Sequence, residues 1–376
     1  METITEIEIV PVRLPRKESI ALRYGNVSTL DNVFVAIRTT GGLVGYGESA
    51  PIPPTFGETQ GTIVEILKNE LAPRLIGEDA LNINRSISKL DEIPGHLCAK
   101  TSLDIALHDL KGKALSTPVC SLLGGAYRQE IPVAQTVGID SLERATEKAL
   151  AAAQEGFPSL KLKGGRDLEH DIHFLRKVRA ALGEDGPWLR LDFNQGCRNA
   201  GEFWRHLPQL HELKIDLLEE PFPARRWHAY HELARRSSIP ICLDESLILD
   251  TDAAALAQNF NGLVANIKIQ KNGGLHKSIR LAHTMSSLGI PVVIGAHRDA
   301  WISNTAGIHL AASIENLDYA CDVRYAWSLP ECNAVSGGPK LSKGKVTVPN
   351  EPGLGLEISW KELTRPHSDG SFFVRQ

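Results

Sequence analysis

The 376-residue sequence lacks the features that mark membrane, secreted and nucleic-acid-binding proteins. No run approaches the roughly 20 consecutive apolar residues of a membrane-spanning helix, and the opening METITEIEIVPVRLPRKES has no apolar core of the signal-peptide type. The formal net charge is only −4, so the chain shows no preference for nucleic acid or an anionic membrane. These absences predict a cytoplasmic protein whose partner is a small molecule.

The six cysteines contain no C-x-x-C pair, so neither a zinc site nor a disulfide framework is expected. A hydrophobic content of 42% with 23% charged residues is that of an ordinary globular chain, and the length suffices for two domains. No repeat or low-complexity segment is present beyond an alternation of strands and helices.

Two sequence patterns divide the chain. Near the N-terminus, strand-like alternation and the pair Gly41-Gly42 predict a β-hairpin, followed by helices over 58–76 and 97–115. In the second helix, Asp104 and Asp109 fall opposite the apolar stripe. From about 131 to 323, apolar strands alternate with helices, which indicates a parallel sheet. Eight strands are predicted, at 131–137, 158–163, 187–193, 215–219, 239–244, 263–269, 291–296 and 318–323.

Five of the apolar runs end in a charged residue, and these residues recur at the spacing of one strand plus one helix. They are Lys163, Asp192, Glu219, Asp244 and Lys268, separated by 29, 27, 25 and 24 residues. In a (β/α)₈ barrel all strand ends point to one face, and the active site lies there. The spacing therefore predicts that the five side chains meet at one rim.

Three acids at one rim would repel one another strongly, and a bound cation relieves that repulsion. Carboxylate oxygens are the ligands preferred by Mg²⁺, so Asp192, Glu219 and Asp244 are predicted to hold it. Glu219 is taken as the ligand and the adjacent Glu220 as turning outward. The alternative is that each acid only caps the helix that follows it.

The lysines suggest acid–base chemistry. In Lys161-Leu162-Lys163 the period of two places both lysines on the inner face, and Lys268 lies across the barrel mouth. Burial and neighbouring cations are expected to lower a lysine pKa toward neutrality, which would make it a general base. Two lysines facing each other could then remove a proton from one face of a substrate and return it to the other.

These motifs resemble the enolase superfamily, and within it the muconate lactonizing enzyme subgroup, which includes dipeptide epimerases. The resemblance rests on LKLK at 160–163, LDFNQ at 191–195, LLEEP at 217–221, CLDES at 242–246 and NIKIQKNGG at 266–274. GYGESAPIP at 45–53 and the segment 101–125 extend it over essentially the whole chain.

The resemblance implies an α+β capping domain, 1–127 with a C-terminal return over 330–376, on a modified (β/α)₇β TIM-type barrel, 128–329. It implies one Mg²⁺ on Asp192, Glu219 and Asp244. Lys163 and Lys268 would be the acid–base pair, Lys161 would assist a substrate carboxylate, and the protein would be a homo-oligomer. A lysine base acting with Mg²⁺ on an enediolate is the general scheme of this superfamily.

The remaining candidates concern substrate binding. His297 and Asp299 follow the seventh strand, and since Lys268 stands where mandelate-racemase-like members have an aspartate, His297 is interpreted as a pocket residue. Arg23 lies in a loop where dipeptide epimerases often read the substrate side chain, and a cation there suits an acidic group.

The eighth strand departs from the family's pattern. Dipeptide epimerases carry D-x-D there for the substrate ammonium, whereas this chain has Cys321-Asp322-Val323-Arg324. In one register Asp322 points away; shifted by one residue, Asp322 and Arg324 point inward. Either register disfavours a plain dipeptide and favours an N-acylated, N-alkylated or cyclic amino acid.

The sequence thus predicts a Mg²⁺-dependent racemase or epimerase that acts α to a carboxylate, on an amino-acid derivative or dipeptide. Cycloisomerisation of the muconate type and β-elimination by a dehydratase would use the same site and stay open. A Schiff-base lysine aldolase is a rival from another mechanistic class.

Overall fold

The computed structural model describes residues 2–256, 262–368 and 370–375. Its described N-terminal region contains β1 (Ile4–Leu22), β2 (Gly25–Thr39), β3 (Val44–Ser49), α1 (Pro53–Phe56), α2 (Gln60–Ile66), α3 (Ile83–Asp91), α4 (Leu97–Ala114) and α5 (Val119–Leu122). The three strands pair antiparallel in chain order. The chain turns between β2 and β3 at Gly42, whose φ is +81°, which confirms the predicted hairpin.

The first hairpin is longer than the sequence pattern predicts. The pairing of β1 with β2 shifts register between Pro15 and Ile20 and then continues to its tip, where Leu22 faces Gly25. The polar run RKES at 16–19 breaks the alternation that marks a half-buried strand, so this extension is invisible to a pattern search. We call residues 16–27 the hairpin arm.

Helix α4 packs on the sheet through β3, and its predicted polar face is buried. Asp104 and Asp109 are inaccessible because each accepts backbone hydrogen bonds from another element. Asp104 accepts from Leu275 N at 2.5 Å, and Asp109 accepts from Tyr46 N and Leu354 N, both at 2.9 Å. Their position opposite the apolar stripe thus does not expose them to solvent, because these acids satisfy backbone N–H groups that would otherwise be buried without partners.

The second region alternates strands and helices. Its strands are β4 (Glu130–Pro132), β5 (Ala134–Val137), β6 (Ser159–Lys163), β7 (Trp188–Asp192), β8 (Leu217–Glu219), β9 (Ile241–Leu243), β10 (Leu263–Ile267) and β11 (Val292–Ile294). Its helices are α6 (Leu142–Gln154), α7 (Leu168–Leu182), α8 (Ala200–Glu212), α9 (Trp227–Arg236), α10 (Asp250–Leu256), α11 (Ile269–Asn272), α12 (Leu275–Ser287) and α13 (Trp301–Ala312). Side chains of Ser141, Asp167 and Asn199 accept hydrogen bonds from the first turns of α6, α7 and α8, and so fix where those helices begin.

Strands β5 to β11 form a curled seven-stranded parallel sheet in chain order. A short segment replaces the eighth strand and closes the ring. Ala134 N donates to Cys321 O, and Asp322 N donates to Ile294 O, both at 2.8 Å. This segment makes a single isolated bridge, Val133 to Cys321. The barrel is thus a TIM-type barrel with a reduced last unit.

The C-terminal segment contains β12 (Val335–Gly337), β13 (Leu341–Ser342), β14 (Lys345–Thr347), β15 (Leu356–Ile358), α14 (Trp360–Thr364) and β16 (Phe372–Arg375). It crosses from the barrel to the N-terminal sheet. β14 pairs with β4 and β16 pairs antiparallel with β1. Trp360 stacks on Tyr46, with ring centroids 5.2 Å apart.

The close approach of β3 to α4 requires glycine at Gly47. A methyl group there would lie 1.8 Å from the carbonyl oxygen of Ser102, inside the helix backbone. We expect Gly47→Ala to lower the free energy of unfolding by on the order of 3 kcal/mol, because neither backbone can move without losing packing. Gly61→Ala is the matched control: Gly61 lies in α2 and its methyl group would meet only Thr59 Oγ1, at 4.0 Å.

Chemical denaturation of both variants checks this expectation. The Gly61 variant should match the parent or gain about 0.5–1 kcal/mol, since alanine favours a helix. Equal stability of the Gly47 variant and the parent would contradict the assigned contact.

Candidate active site at the carboxyl ends of the barrel strands

Lys161 and Lys163 lie on the inner face of β6 and contact carboxylates from the neighbouring strands. Lys163 Nζ lies 2.5 Å from Asp192 Oδ2, across the register pair Lys163–Asp192. Lys161 Nζ lies 2.8 Å from Glu219 Oε1, 3.1 Å from Asp192 Oδ2 and 3.0 Å from Asp322 Oδ2. One ammonium group therefore joins three carboxylates that come from three parts of the barrel.

Lys268 stands on the opposite side of the ring. It follows β10, and β6 and β10 occupy the second and sixth of the eight positions around the barrel. Its Nζ lies 2.5 Å from Asp244 Oδ2. Asp244 is also held from below by the buried Lys271, whose Nζ donates to Asp244 O at 2.5 Å and lies 3.3 Å from Asp244 Oδ1.

Arg190 is a further buried cation of the same network. Its guanidinium lies 3.2 Å from Glu219 Oε2 and 3.3 Å from Asp322 Oδ1, and it donates to Ala320 O at 2.7 Å. Asn266 Nδ2 donates to the other oxygen of Glu219 at 3.0 Å. Glu219 is therefore held on both oxygens.

The side chains of Glu219 and Glu220 separate as the sequence predicts. Glu220 accepts from the hydroxyl groups of Tyr230, at 2.8 Å, and of Ser246, and from Asp244 N at 2.6 Å. Burial raises the pKa of Glu220 to about 7. Glu220 thus orients the loop that carries Asp244, while Glu219 faces the barrel interior.

The electrostatics of the site are dominated by these pairs. Burial would raise the pKa of Asp192 and Asp244, but the lysines beside them hold both well below the usual range. Burial favours a low pKa for Lys161 and Lys268, yet the surrounding carboxylates outweigh it and raise both. The lowering of the lysine pKa values was predicted for a site that holds Mg²⁺ and stays a prediction, because without that ion more negative than positive charge faces Lys161 and Lys268.

Three buried carboxylates of the site have the chemistry of ligands for a divalent cation. Asp192, Glu219 and Asp244 are buried hard oxygen donors on three adjacent strands, and Asp244 Oδ1 and Glu245 Oε2 accept no hydrogen bond. Within the described residues no three Asp, Glu, His or Cys side chains converge at ligand distance, because each carboxylate turns to a lysine. The oxygen chemistry of the donors, their burial and the Glu245 oxygen that accepts no hydrogen bond fit Mg²⁺.

A cavity of about 350 Å³ opens over this network. Lys161, Lys163, Asp244, Lys268 and Asp322 line it, whereas Asp192 and Glu219 are fully buried and contact the lysines of its wall. The hairpin arm covers one side of the cavity through residues 16–18, 20, 22 and 24. The arm that the sequence pattern did not reveal is thus part of the site.

His297 lines the cavity as predicted, and Asp299 does not. The His297 ring stacks on Phe56, with centroids 4.7 Å apart, and its Nδ1 lies 3.0 Å from Ala50 O. Burial lowers the pKa of His297 to about 3, so the ring is neutral. Asp299 instead accepts a hydrogen bond from the Ser303 hydroxyl in the first turn of α13, at 2.9 Å.

Arg23 lies at the tip of the arm but outside the cavity wall. Its guanidinium donates to Asn194 O at 2.9 Å, and the neighbouring Tyr24 lines the cavity instead. Arg23 therefore ties the arm to the loop after β7.

The segment around Asp322 that closes the barrel adopts the second of the two predicted registers, in which Asp322 and Arg324 point inward. Asp322 and Arg324 line the cavity, while Val323 is buried away from it and Cys321 Sγ accepts from Ile294 N at 3.4 Å. The alternative in which Asp322 points away is wrong, because the barrel closes through single hydrogen bonds rather than a regular strand.

Comparison with known proteins agrees with this architecture. The sequence profile of the N-terminal domain of mandelate racemase / muconate lactonizing enzyme matches residues 4–124, and that of the enolase C-terminal domain-like family matches residues 144–362. The chain belongs to the enolase superfamily. It falls within its muconate lactonizing enzyme subgroup.

Curated relatives of the chain are isomerases. N-succinyl-L-Arg/Lys racemase of Bacillus cereus is 30% identical over 360 residues, 95% of each chain. Chloromuconate cycloisomerase of Delftia acidovorans is 31% identical over 362 residues, 94% of this chain and 96% of that protein. Hydrophobic dipeptide epimerase of Enterococcus faecalis is 31% identical over 356 residues, 94% of this chain and 99% of that protein. This superfamily member is an isomerase.

Solved structures superpose closely. The crystal structure of the Bacillus cereus N-succinyl Arg/Lys racemase gives a TM-score of 0.94 at 29% identity, covering 99% of this chain and all of that one. The Enterococcus faecalis dipeptide epimerase, complexed with Mg and the dipeptide L-Leu-L-Tyr, gives 0.89 at 30% identity, covering 94% and 99%. Across the described ranges, no helix is both long and apolar enough to cross a membrane.

Several residues of the site were missed by the sequence analysis. Arg190 carried a signal, because strand alternation places it on the same face as Asp192, two residues later. Glu245 and Asn194 lie within recognised motifs, but their inward direction depends on loop geometry. Arg298 and Tyr325 line the cavity without any local pattern that marks them.

Removing Arg190 should lower the free energy of unfolding, because the buried carboxylates lose a neighbouring cation. We expect Arg190→Met to lower the free energy of unfolding by about 3–5 kcal/mol, because Glu219 and Asp322 would stay buried with less positive charge beside them. Arg176→Met, on the exposed face of α7, is the control and should change it by less than about 0.5 kcal/mol. Denaturation curves that coincide for the two variants would rule out the network as a stabilising element.

Proposed function

We propose that the protein is a racemase or epimerase that exchanges the proton α to a carboxylate, through an enediolate, on an N-blocked amino acid. The observation that carries the proposal is the placement of Lys163 and Lys268 on opposite sides of one cavity, each against a carboxylate. A substrate carbon held between two ammonium or amine groups can lose a proton to one side and gain it from the other.

Side chains of the protein itself would carry out the proton transfer, place the substrate carboxylate and exclude water. Lys163 and Lys268 hold and move the proton at the α-carbon, and each is positioned by a neighbouring strand-end carboxylate. Lys161 presents positive charge where the substrate carboxylate would lie. The hairpin arm and the loop after β3 cover the cavity and limit water there.

Asp192, Glu219 and Asp244 would hold Mg²⁺, with Glu245 beside them. Bound there, Mg²⁺ supplies positive charge that stabilises the negative charge developing on the substrate carboxylate.

The charge pattern supports a blocked amino group. Receiving a substrate ammonium next to the reacting carbon requires an unpaired acid beside the buried lysines, and Glu18, which also lines the cavity, is instead exposed on the hairpin arm. Asp322 is paired with Lys161 and Arg190, and Asp244 with Lys268. Burial and the neighbouring Asp244 raise the pKa of Glu245 well above its usual range. An N-acyl amino acid, the class named for the Bacillus cereus relative, fits this wall better than a dipeptide with a free amino terminus.

Cycloisomerisation is the second candidate, because the chloromuconate cycloisomerases match the chain with similar identity and coverage. The same lysine and metal site would serve it. Turnover of cis,cis-muconate without α-proton exchange on any N-acyl amino acid would favour this candidate.

The roles of Lys163 and Lys268 should be distinguished by the substrate enantiomer whose α-proton each variant still exchanges. In D₂O, we expect Lys163→Ala and Lys268→Ala each to slow racemisation by at least about 100-fold, because one of the two proton donors is missing. Each variant should still exchange the α-proton of the one enantiomer that faces its remaining lysine. Mass spectrometry of deuterium at the α-carbon, on separate enantiomers of N-acyl amino acids, measures both effects.

Lys340→Ala, at an exposed position remote from the cavity, is the control and should behave as the parent. If both site variants lose exchange on both enantiomers while keeping their fold, the two-base mechanism is wrong. If neither loses it, the proposed function is wrong.

Metal binding can be tested without turnover. Calorimetric titration with Mg²⁺ should show one saturable site, weakened at least about 10-fold in Asp244→Asn, since a neutral amide is a poorer ligand for a hard cation. Asp318→Asn, on the exposed surface, is the matched control. Equal affinity in Asp244→Asn and the parent would remove Asp244 from the proposed ligands.

A further inference from the structure

The cavity carries more positive charge than the proton-transfer chemistry uses. Seven of its lining residues are Lys or Arg, and four are Asp or Glu. Three of the seven cations are the lysines of the site. The other four form no ion pair within the described residues, and they are Arg16, Lys17, Arg298 and Arg324.

Aromatic rings hold two of these arginines in place. The guanidinium of Arg324 lies 5.0 Å from the ring centroid of Phe157, and that of Arg16 lies 4.7 Å from the ring centroid of Tyr325. An aromatic face attracts a cation without neutralising it, and leaves the N–H groups at the guanidinium edge free to bind. These contacts fix the orientation of the two guanidinium groups and leave their positive charge unneutralised.

The same arginines carry buried nitrogens that lack partners. Arg16 Nη1, Arg298 Nε and Arg324 Nε are inaccessible to solvent and donate no hydrogen bond. A buried donor without an acceptor costs free energy, about 1–3 kcal/mol for each group and more when it is charged. The residues that carry these donors all line one cavity, so a ligand bound there with acceptor oxygens would reduce this cost.

The three arginines are neighbours in space. Burial raises the pKa of the Tyr325 hydroxyl, and the positive charges of Arg16 and Arg298 oppose that rise. Burial lowers the pKa of Arg324, Glu155 opposes the change, and Arg16 adds to it. Arg16 lies against Tyr325, the residue that follows Arg324 in the chain, and Arg298 is close enough to act on the same hydroxyl. Glu18, Glu155 and Asp299 lie near the group, and none of them forms an ion pair with it within the described residues.

We propose that Arg16, Arg298 and Arg324 form a second anion-binding subsite, and that the substrate carries a carboxylate besides the one beside the reacting carbon. Arginine binds a carboxylate through two parallel hydrogen bonds, which matches the planar edges left free here. The inference rests on the proposed function, because that function places the first carboxylate at Lys161. The second carboxylate is carried either at the end of the N-acyl chain or on the amino-acid side chain.

Matched ligands test the subsite without turnover. N-succinylglycine and its neutral amide, N-succinamoylglycine, differ only in a carboxylate at the end of the acyl chain. N-acetylglutamate and N-acetylglutamine differ in the same way at the side chain. In calorimetric titrations with Mg²⁺ present, we expect the carboxylate member of one pair to bind at least about 10-fold more tightly, and the pair that discriminates identifies the source.

The variants Arg298→Gln and Arg324→Gln should each abolish most of that preference while leaving the affinity of the neutral member unchanged. A purely structural role would weaken both members alike. Arg176→Gln, which removes a positive charge from the exposed face of α7, should keep the full preference. Thermal unfolding of each variant verifies that its fold is intact, and having two independent variants covers the failure of either one.

The outcomes separate the subsite from the reaction. Equal binding within both pairs, or a preference that survives in both arginine variants, overturns the subsite even if deuterium exchange proceeds. A preference that both variants abolish supports the subsite even if no ligand exchanges its α-proton, in which case the proposed racemase function alone has failed.

Discussion

Burial of many charges of both signs at the carboxyl ends of the barrel strands is the constraint on which the rest of the structure depends. Asp192 and Glu219 are fully buried, and carboxylates so placed are tolerated only beside cations. Lys161 and Arg190 supply that charge, reaching from adjacent strands and from beneath. The parallel sheet delivers these side chains in register, so the site is assembled by the same hydrogen bonds that hold the barrel.

Sequence reasoning succeeded where side-chain position follows directly from strand periodicity. Spacing and alternation placed Lys163, Asp192 and Lys268 at one rim, and the structure brings each into contact with its network. It failed where a conformation depends on distant partners. Asp104 looks like a solvent-facing helical residue, yet it accepts hydrogen bonds from the start of α12, 171 positions away in the chain. No local pattern contains that information.

The irregular segments of the cavity wall were the least accessible to prediction. The hairpin arm lacks alternation, and the closing segment at Asp322 lacks the geometry of a strand, so neither has a period to detect. Their shape is set by tertiary contacts, such as the bond from Arg23 to Asn194 O. This division is physical: the proposed acid–base and metal-binding side chains lie in or directly after regular strands that periodicity reveals, whereas the rest of the cavity wall lies on irregular segments that it does not.

The pairing of β16 with β1 has a consequence for biosynthesis. Strand β16 completes a sheet that also contains β1, which is synthesised about 350 residues earlier. During translation that sheet has an open edge next to β1 until residues 372–375 emerge, and an open edge is a template for pairing with other chains. Residues 6–9 and 372–375 also lie side by side on one sheet. A circularly permuted chain that joins them would close the edge early and move the vulnerable interval elsewhere.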